Sequence, residues 1–265
     1  MEVKSGRRQD TSEPLTQNEA AFGTREWLDY FERNANELLP ISWDAGPELT
    51  DEEKRVITKS VQIFQLGESS EGRHLSKCAK DYSSRSGDLA YYEVIRLFIR
   101  EEQRHARELG RFLEINGIPL IRKTFSDSVF RRLRKPAGLE LSVAVLVTAE
   151  IVAQVYYPAL QDATQSSILR GICDQIIRDE TPHVQFQCER LSILRKRHSS
   201  VRRWATLAAQ RLLMFGTSFV VWSQHRRVFR SAGHSFVRFW SDLWTAYRAA
   251  EGIMREQPNR KPAET

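Results

Sequence analysis

YEVIRLFIREEQRHARELGRFLE, Tyr92 to Glu114, is the stretch from which the fold can be read. Tyr91, Ile95, Phe98, Glu102, His105, Leu109 and Phe112 recur at alternating threes and fours, the spacing of one packed helix face. Glu102 and His105 stand three apart on that face, so their side chains reach one point. A carboxylate and an imidazole in an apolar seam must be paired, hydrogen-bonded or bound to metal, because an unpaired buried charge is very costly. The pattern returns as Glu180-Thr-Pro-His183, flanked on its own face by Leu169, Ile172, Ile176, Phe186, Leu191 and Leu194.

Working outward, two more seams carry interior carboxylates. Thr50 with Glu53 three later is a capping box, and it opens a helix expected over 50–82. Its stripe reads Ile57, Val61, Phe64, Glu68, Glu71, Leu75, Cys78, Tyr82. The Glu102 helix is expected over 88–116, stopped by Asn116-Gly117. A third helix, 139–164, reads Val143, Val147, Glu150, Ala153, Tyr157, Leu160, and Pro158 should kink it. The Glu180 helix is expected over 167–198, with Pro182 marking a kink or a widened turn. Residues 118–138 are basic and irregular and read as a long crossover between two halves. The halves match: 31 positions separate Glu71 from Glu102, and 30 separate Glu150 from Glu180, as in a duplicated helical hairpin. No strand-like alternation of any length is present, so the fold class is all-α.

Composition bounds the rest. The chain has 265 residues and 41% hydrophobic content, enough for one large domain with an extension. The first residues, MEVKSGRRQDTSEP, hold no apolar run, from which we expect no secretory signal and a cytoplasmic location. The nearest approach to a membrane span is Leu207 to Trp222, which Arg211 interrupts. Cys78, Cys173 and Cys188 lack metal-finger spacing and are expected as free thiols. The net charge of +6 is local, in clusters at Arg131–Lys135, Arg195–Arg203 and Arg226–Arg230. Cationic helix ends explain such clusters without nucleic acid, which is not expected as a partner, while contact with an anionic membrane surface stays open.

Four helices thus carry metal-binding types at their interior: Glu68 or Glu71, Glu102 with His105, Glu150, and Glu180 with His183. From about Val56 to Leu194 the sequence resembles the ferritin-like superfamily of di-metal carboxylate four-helix bundles. FQLGESSEGRHL resembles the first ligand helix of rubrerythrin-type members, whose ligand follows a Gly as Glu68 follows Gly67; the duplication spacing favours Glu71 instead, and both are kept. The resemblance implies two iron ions (or Fe/Mn, Mn/Mn), with Glu102 and Glu180 bridging, His105 and His183 each capping one ion, and Glu150 and a first-helix Glu completing the set. Carboxylate and imidazole donors suit these metals, and the absence of thiolates argues against a softer one. Gln154, Tyr157 and His74 are expected as supporting residues around the ligands. Glu101 and Asp179 should face away from the metals and are candidates to hold histidines on neighbouring helices.

The expected organisation is a disordered tail over 1–22, a ferritin-like bundle over 23–198 that includes a short amphipathic helix from Arg25 to Pro40, a C-terminal helical extension over 199–256 rich in Trp and Phe, and a polar tail over 257–265. The expected activity is that of an oxidase or hydroxylase using O2 or peroxide and an external electron donor on a small organic or lipidic substrate. The alternatives are a peroxidase, ferroxidase or iron-handling protein, or a metal-stabilised helical interaction protein that binds RNA or an anionic membrane surface. A homodimer is an open partner.

Overall fold

The computed structural model describes residues 17–69, 72–124 and 138–255, and for 17–22 the backbone only. Among the described residues the chain is all-helical, with no strand. Eight α-helices follow in order: α1 Gln17–Asn34, α2 Asp51–Glu68, α3 Arg73–Ser86, α4 Leu89–Ile115, α5 Leu139–Asp162, α6 Ser167–Arg195, α7 Ser200–Ser231 and α8 Phe236–Arg255. A single 3-10 turn, Trp43–Ala45, links α1 to α2.

Local chemistry sets the boundaries. Thr50 and Glu53 form the expected capping box at the start of α2. Glu53 also accepts hydrogen bonds from Gln165 N (2.8 Å) and Thr164 Oγ1 (3.1 Å), so one carboxylate ties α2 to the α5–α6 turn. Glu48 does the same one segment earlier, accepting from Ser166 Oγ at 2.8 Å and Ser167 Oγ at 2.9 Å at the start of α6. Helix α4 ends as expected: Gly117 takes φ +68, and Ile118 N reaches back to Leu113 O at 2.8 Å, closing a Schellman turn that L side chains fit poorly.

Several expectations are corrected. The single helix over 50–82 is two helices, α2 and α3, broken after Glu68. Gly72 takes φ +61 at the start of α3, and a Cβ there would stand 2.6 Å from Ile99 of α4, so the left-handed turn and the close approach both require glycine. The tail expected to be disordered through residue 22 is helical from Gln17, and the same helix ends at Asn34 rather than Pro40. The most apolar helix is α5, not Leu207–Trp222; it is long and apolar enough to cross a membrane, yet 72% of its apolar window is buried within the fold. Neither Pro158 nor Pro182 interrupts its helix, so no widened turn forms at the latter. Most of the expected crossover, 125–137, and the tails 1–16 and 256–265 lie outside the described residues.

Packing follows the apolar seams. Helices α5 and α6 make the closest pair; α2 and α3 pack on α4, α4 meets α6, and α1 lies along α4. Helix α7 covers α5 and α2, and α8 covers α5 and α6. One continuous core runs from Trp27 and Phe31 of α1 to Tyr247 and Met254 of α8. Cys173 and Cys188 are buried in it as free thiols, and Cys78 is half-buried.

Candidate metal centre

The seams of α2, α4, α5 and α6 bring their interior polar side chains to one place. Glu102, Glu150, Glu180 and His183 each present a ligand atom within 4.8 Å of the others, and so, in a second group, do Glu68, Glu102 and His105. Glu102 belongs to both groups and is placed to bridge. Glu180, expected as a second bridge, joins the His183 group only. His105, Glu150, Glu180 and His183 are buried, whereas Glu68 and Glu102 keep partial exposure on the α2–α4 side. Of the two first-helix candidates, Glu68 stands in the second group, and Glu71 lies outside the described residues.

Both histidines are held from behind, and the holding is crossed. Asp179 of α6 accepts the Nε2 hydrogen of His105 of α4 at 2.9 Å, and Glu101 of α4 accepts that of His183 of α6 at 2.8 Å. Those bonds fix the tautomer and turn each Nδ1 toward the carboxylates. Asn34, at the end of α1, donates to both holders, to Glu101 at 2.8 Å and to Asp179 at 2.9 Å. Asp179 further accepts from Gln175 (2.9 and 3.0 Å) and from Arg104. Burial works against its charge, but the His105 hydrogen bond and the neighbouring Arg104 hold the Asp179 carboxyl well below the usual range. His183 is held protonated well above its ordinary range; burial opposes this, and the bonds to Glu101 and Glu102 overcome it.

Of the supporting residues, Tyr157 donates to Glu68 at 2.9 Å, as expected of a residue that orients a ligand. Gln154 reaches the backbone carbonyl of Glu180 at 3.4 Å, not a ligand side chain. His74 sits against Cys78 at 3.6 Å, one turn along α3, and is not among the converging groups. The break after Glu68 starts a new helix there and removes His74 from the α2 face. Reading the sequence missed Gln187, which donates to Glu150 at 3.0 Å, and Asn34, Arg104 and Gln175 around Asp179. Gln187 carried a signal, seven positions after Glu180 on the same face. Asn34 carried none, being 67 and 145 positions from the groups it joins. Phe31 stacks on His183 and Phe98 meets its ring edge-on (centroids 5.9 and 4.8 Å apart), so the His183 side is lined by aromatic rings.

The donor set has one unmet requirement. His105 Nδ1, His183 Nδ1, Glu102 Oε1 and both carboxylate oxygens of Glu180 are enclosed and make no well-aligned hydrogen bond, although His183 Nδ1 and Glu102 Oε1 form an ion pair at 3.2 Å. Buried polar atoms are almost always satisfied, and that one pair does not satisfy the group, so the site lacks partners. Burial, followed by the other carboxylates, pushes the carboxyls of Glu102 and Glu180 well above the usual range, and that of Glu68 upward. Four carboxylates match the charge of two divalent cations, and imidazole with carboxylate suits iron or manganese. The residues present fit a pair of such ions.

No protein-family model, curated protein or solved structure matches the chain.

Proposed function

We propose that this chain is a ferritin-like di-metal carboxylate protein, an oxidase or hydroxylase acting on a small organic or lipidic substrate with O2 or peroxide. The observation that carries this reading is the convergence of under-satisfied, enclosed carboxylate and imidazole atoms from α4 and α6, backed by Glu68 of α2 and Glu150 of α5. On this reading the architecture is a four-helix bundle of α2, α4, α5 and α6 with a long crossover between α4 and α5. Glu102 would serve both ions, His105 with Glu68 would hold one, and His183 with Glu150 and Glu180 would hold the other. Bound iron or manganese would supply one-electron redox chemistry toward oxygen or peroxide. The chain's own residues do the rest. Glu101 and Asp179 keep both imidazoles in the ligating tautomer. Tyr157 and Gln187 orient Glu68 and Glu150. Phe31 and Phe98 keep water from the His183 side.

Metal content per chain, with absorption spectra before and after anaerobic reduction and oxygen exposure, tests this. About two ions per chain, lost in Glu102→Ala and Glu180→Ala, with an oxygen-dependent spectral change, supports it. Tightly held metal without oxygen reactivity points instead to a metal-stabilised interaction protein. Iron oxidation without turnover of organic substrates points to a ferroxidase. An intact fold that takes up no metal overturns the reading.

A further inference from the structure

Between Glu189 and Asp242 the sequence holds no acidic residue and eleven Lys or Arg. Two of them, Arg190 and Arg195, are buried and bonded to Asp88 and Glu140. The other nine, Lys196 to Arg238, are exposed on α7, α8 and the turn before α7. The same surface is apolar at its centre. Along α7, Val201, Ala205, Ala208, Leu212, Phe215 and Phe219 follow one another at alternating fours and threes, a packing seam turned outward. Val201 is 77% exposed, Leu212 71%, Phe215 46% and Phe219 48%. From α8, Trp240 closes on Phe215 and Phe219 with ring centroids 5.5 and 5.4 Å apart, making one aromatic sheet across the two helices. The opposite face of α7 is fastened to the fold by His225, whose Nδ1 bonds Ser60 of α2 at 2.7 Å.

We propose that the outward face of α7 with the adjoining edge of α8 docks on the surface of an anionic phospholipid bilayer. Charge decides the occupant. A second copy would set this net-basic surface, in which Arg202, Arg211 and Arg238 are paired with Glu140, Glu251 and Asp242, against itself, and like charges in an interface oppose association. A nucleic acid would use the arginines and the aromatic rings, but it would leave the exposed Val201 and Leu212 side chains without an apolar partner. An anionic bilayer uses both features: Trp, Phe and Leu enter the headgroup boundary while flanking Lys and Arg meet lipid phosphates. Exposed Trp204, at 73%, lies beside the seam, as expected for an interfacial anchor. This inference does not depend on the metal centre.

The test is co-sedimentation of the full chain with phosphatidylcholine vesicles, with and without phosphatidylglycerol, at low and raised salt. The expected result is binding only where phosphatidylglycerol is present, weakened by salt, with a blue shift of tryptophan emission. Leu212→Ser with Phe219→Ser, and separately Arg226→Glu with Arg227→Glu, should each lower the vesicle partition coefficient at least about tenfold. All four positions are exposed, so melting curves should match the parent. Any of four results overturns the proposal: equal binding of both vesicle types, no binding of either, parent-like binding by both variants, or a vesicle-independent dimer that Leu212→Ser with Phe219→Ser dissolves. Salt-sensitive binding of an RNA oligonucleotide in place of vesicles would also overturn it.

Discussion

The carboxylate of Glu101 accepts the Nε2 hydrogen of His183 at 2.8 Å, across 82 positions of sequence and from one helix to another. The bond holds a ring whose other nitrogen faces the Glu102 carboxylate at 3.2 Å. Replacing Glu101 by Gln keeps an acceptor but removes the charge that makes His183 a strong ligand. Glu101→Gln should retain the fold and weaken metal binding about 10–100-fold, measured by competition with a chelator. Unchanged affinity would show that the pair serves packing alone.

Asn34 should matter to metal affinity without touching a ligand. Its single amide group satisfies Glu101 and Asp179 together. Asn34→Leu leaves both carboxylates short of a donor and should lower stability by about 1–3 kcal/mol in chemical denaturation. It should also loosen both histidines at once. A matched loss of the two ions, not of one, is the signature to look for by metal analysis.

In the metal-free chain, burial and the neighbouring carboxylates raise the pKa values of Glu68, Glu102 and Glu180. The folded chain then keeps protons that the unfolded chain releases above about pH 4.3. Stability of the metal-free protein should therefore fall as pH rises toward neutrality. Divalent metal reverses the trend, because it replaces those protons and binds more tightly as pH rises. Glu180→Gln should stabilise the metal-free form near neutral pH by roughly 1–3 kcal/mol and abolish the gain in melting temperature that metal gives the parent. A metal-free Glu180→Gln chain less stable than the parent would remove the electrostatic account.

His225 reports from the other side of α5. Burial pushes its pKa down to about 3, and Nδ1 bonds Ser60, which in turn bonds Tyr156 at 2.7 Å. The unfolded chain takes up a proton on this ring below about pH 6.5, while the folded chain refuses it until about pH 3. Stability should be lost on acidification through that window, with a slope approaching about 1.4 kcal/mol per pH unit. His225→Phe should flatten the slope relative to the parent when unfolding is followed by urea titration at several pH values. An unchanged slope would place the acid sensitivity elsewhere.

The converging residues of α4, α5 and α6 were legible because period and residue type agree there: a charged group in an apolar stripe announces a partner. Glu101 and Asp179 were legible in part, since a carboxylate next to a seam residue points to the neighbouring helix. The break after Glu68 was hidden because the stripe continues in phase past it, through Leu75, Cys78 and Tyr82. The backbone there obeys Gly72 and its contact with Ile99, a tertiary constraint that periodicity does not contain. Asn34 and Gln175 gave no sign, because a neutral amide near a helix end is ordinary until the chain it meets is known. Helix α7 misled in another way: its apolar residues lie on both faces, so composition alone could not say that the Phe219 side is left uncovered.

The crossed pairing of His105 with Asp179 and His183 with Glu101 has a consequence for biogenesis. Each hairpin lends the other the group that makes its histidine useful, so neither is a working half. A nascent chain that has emerged only through α4 carries an unsupported His105, and a fragment beginning at α5 carries an unsupported His183. On the proposed function, capture of metal would therefore be a late event, open only to a chain that has been synthesised through α6 and has brought both hairpins together, and an occupied centre would certify a completed fold.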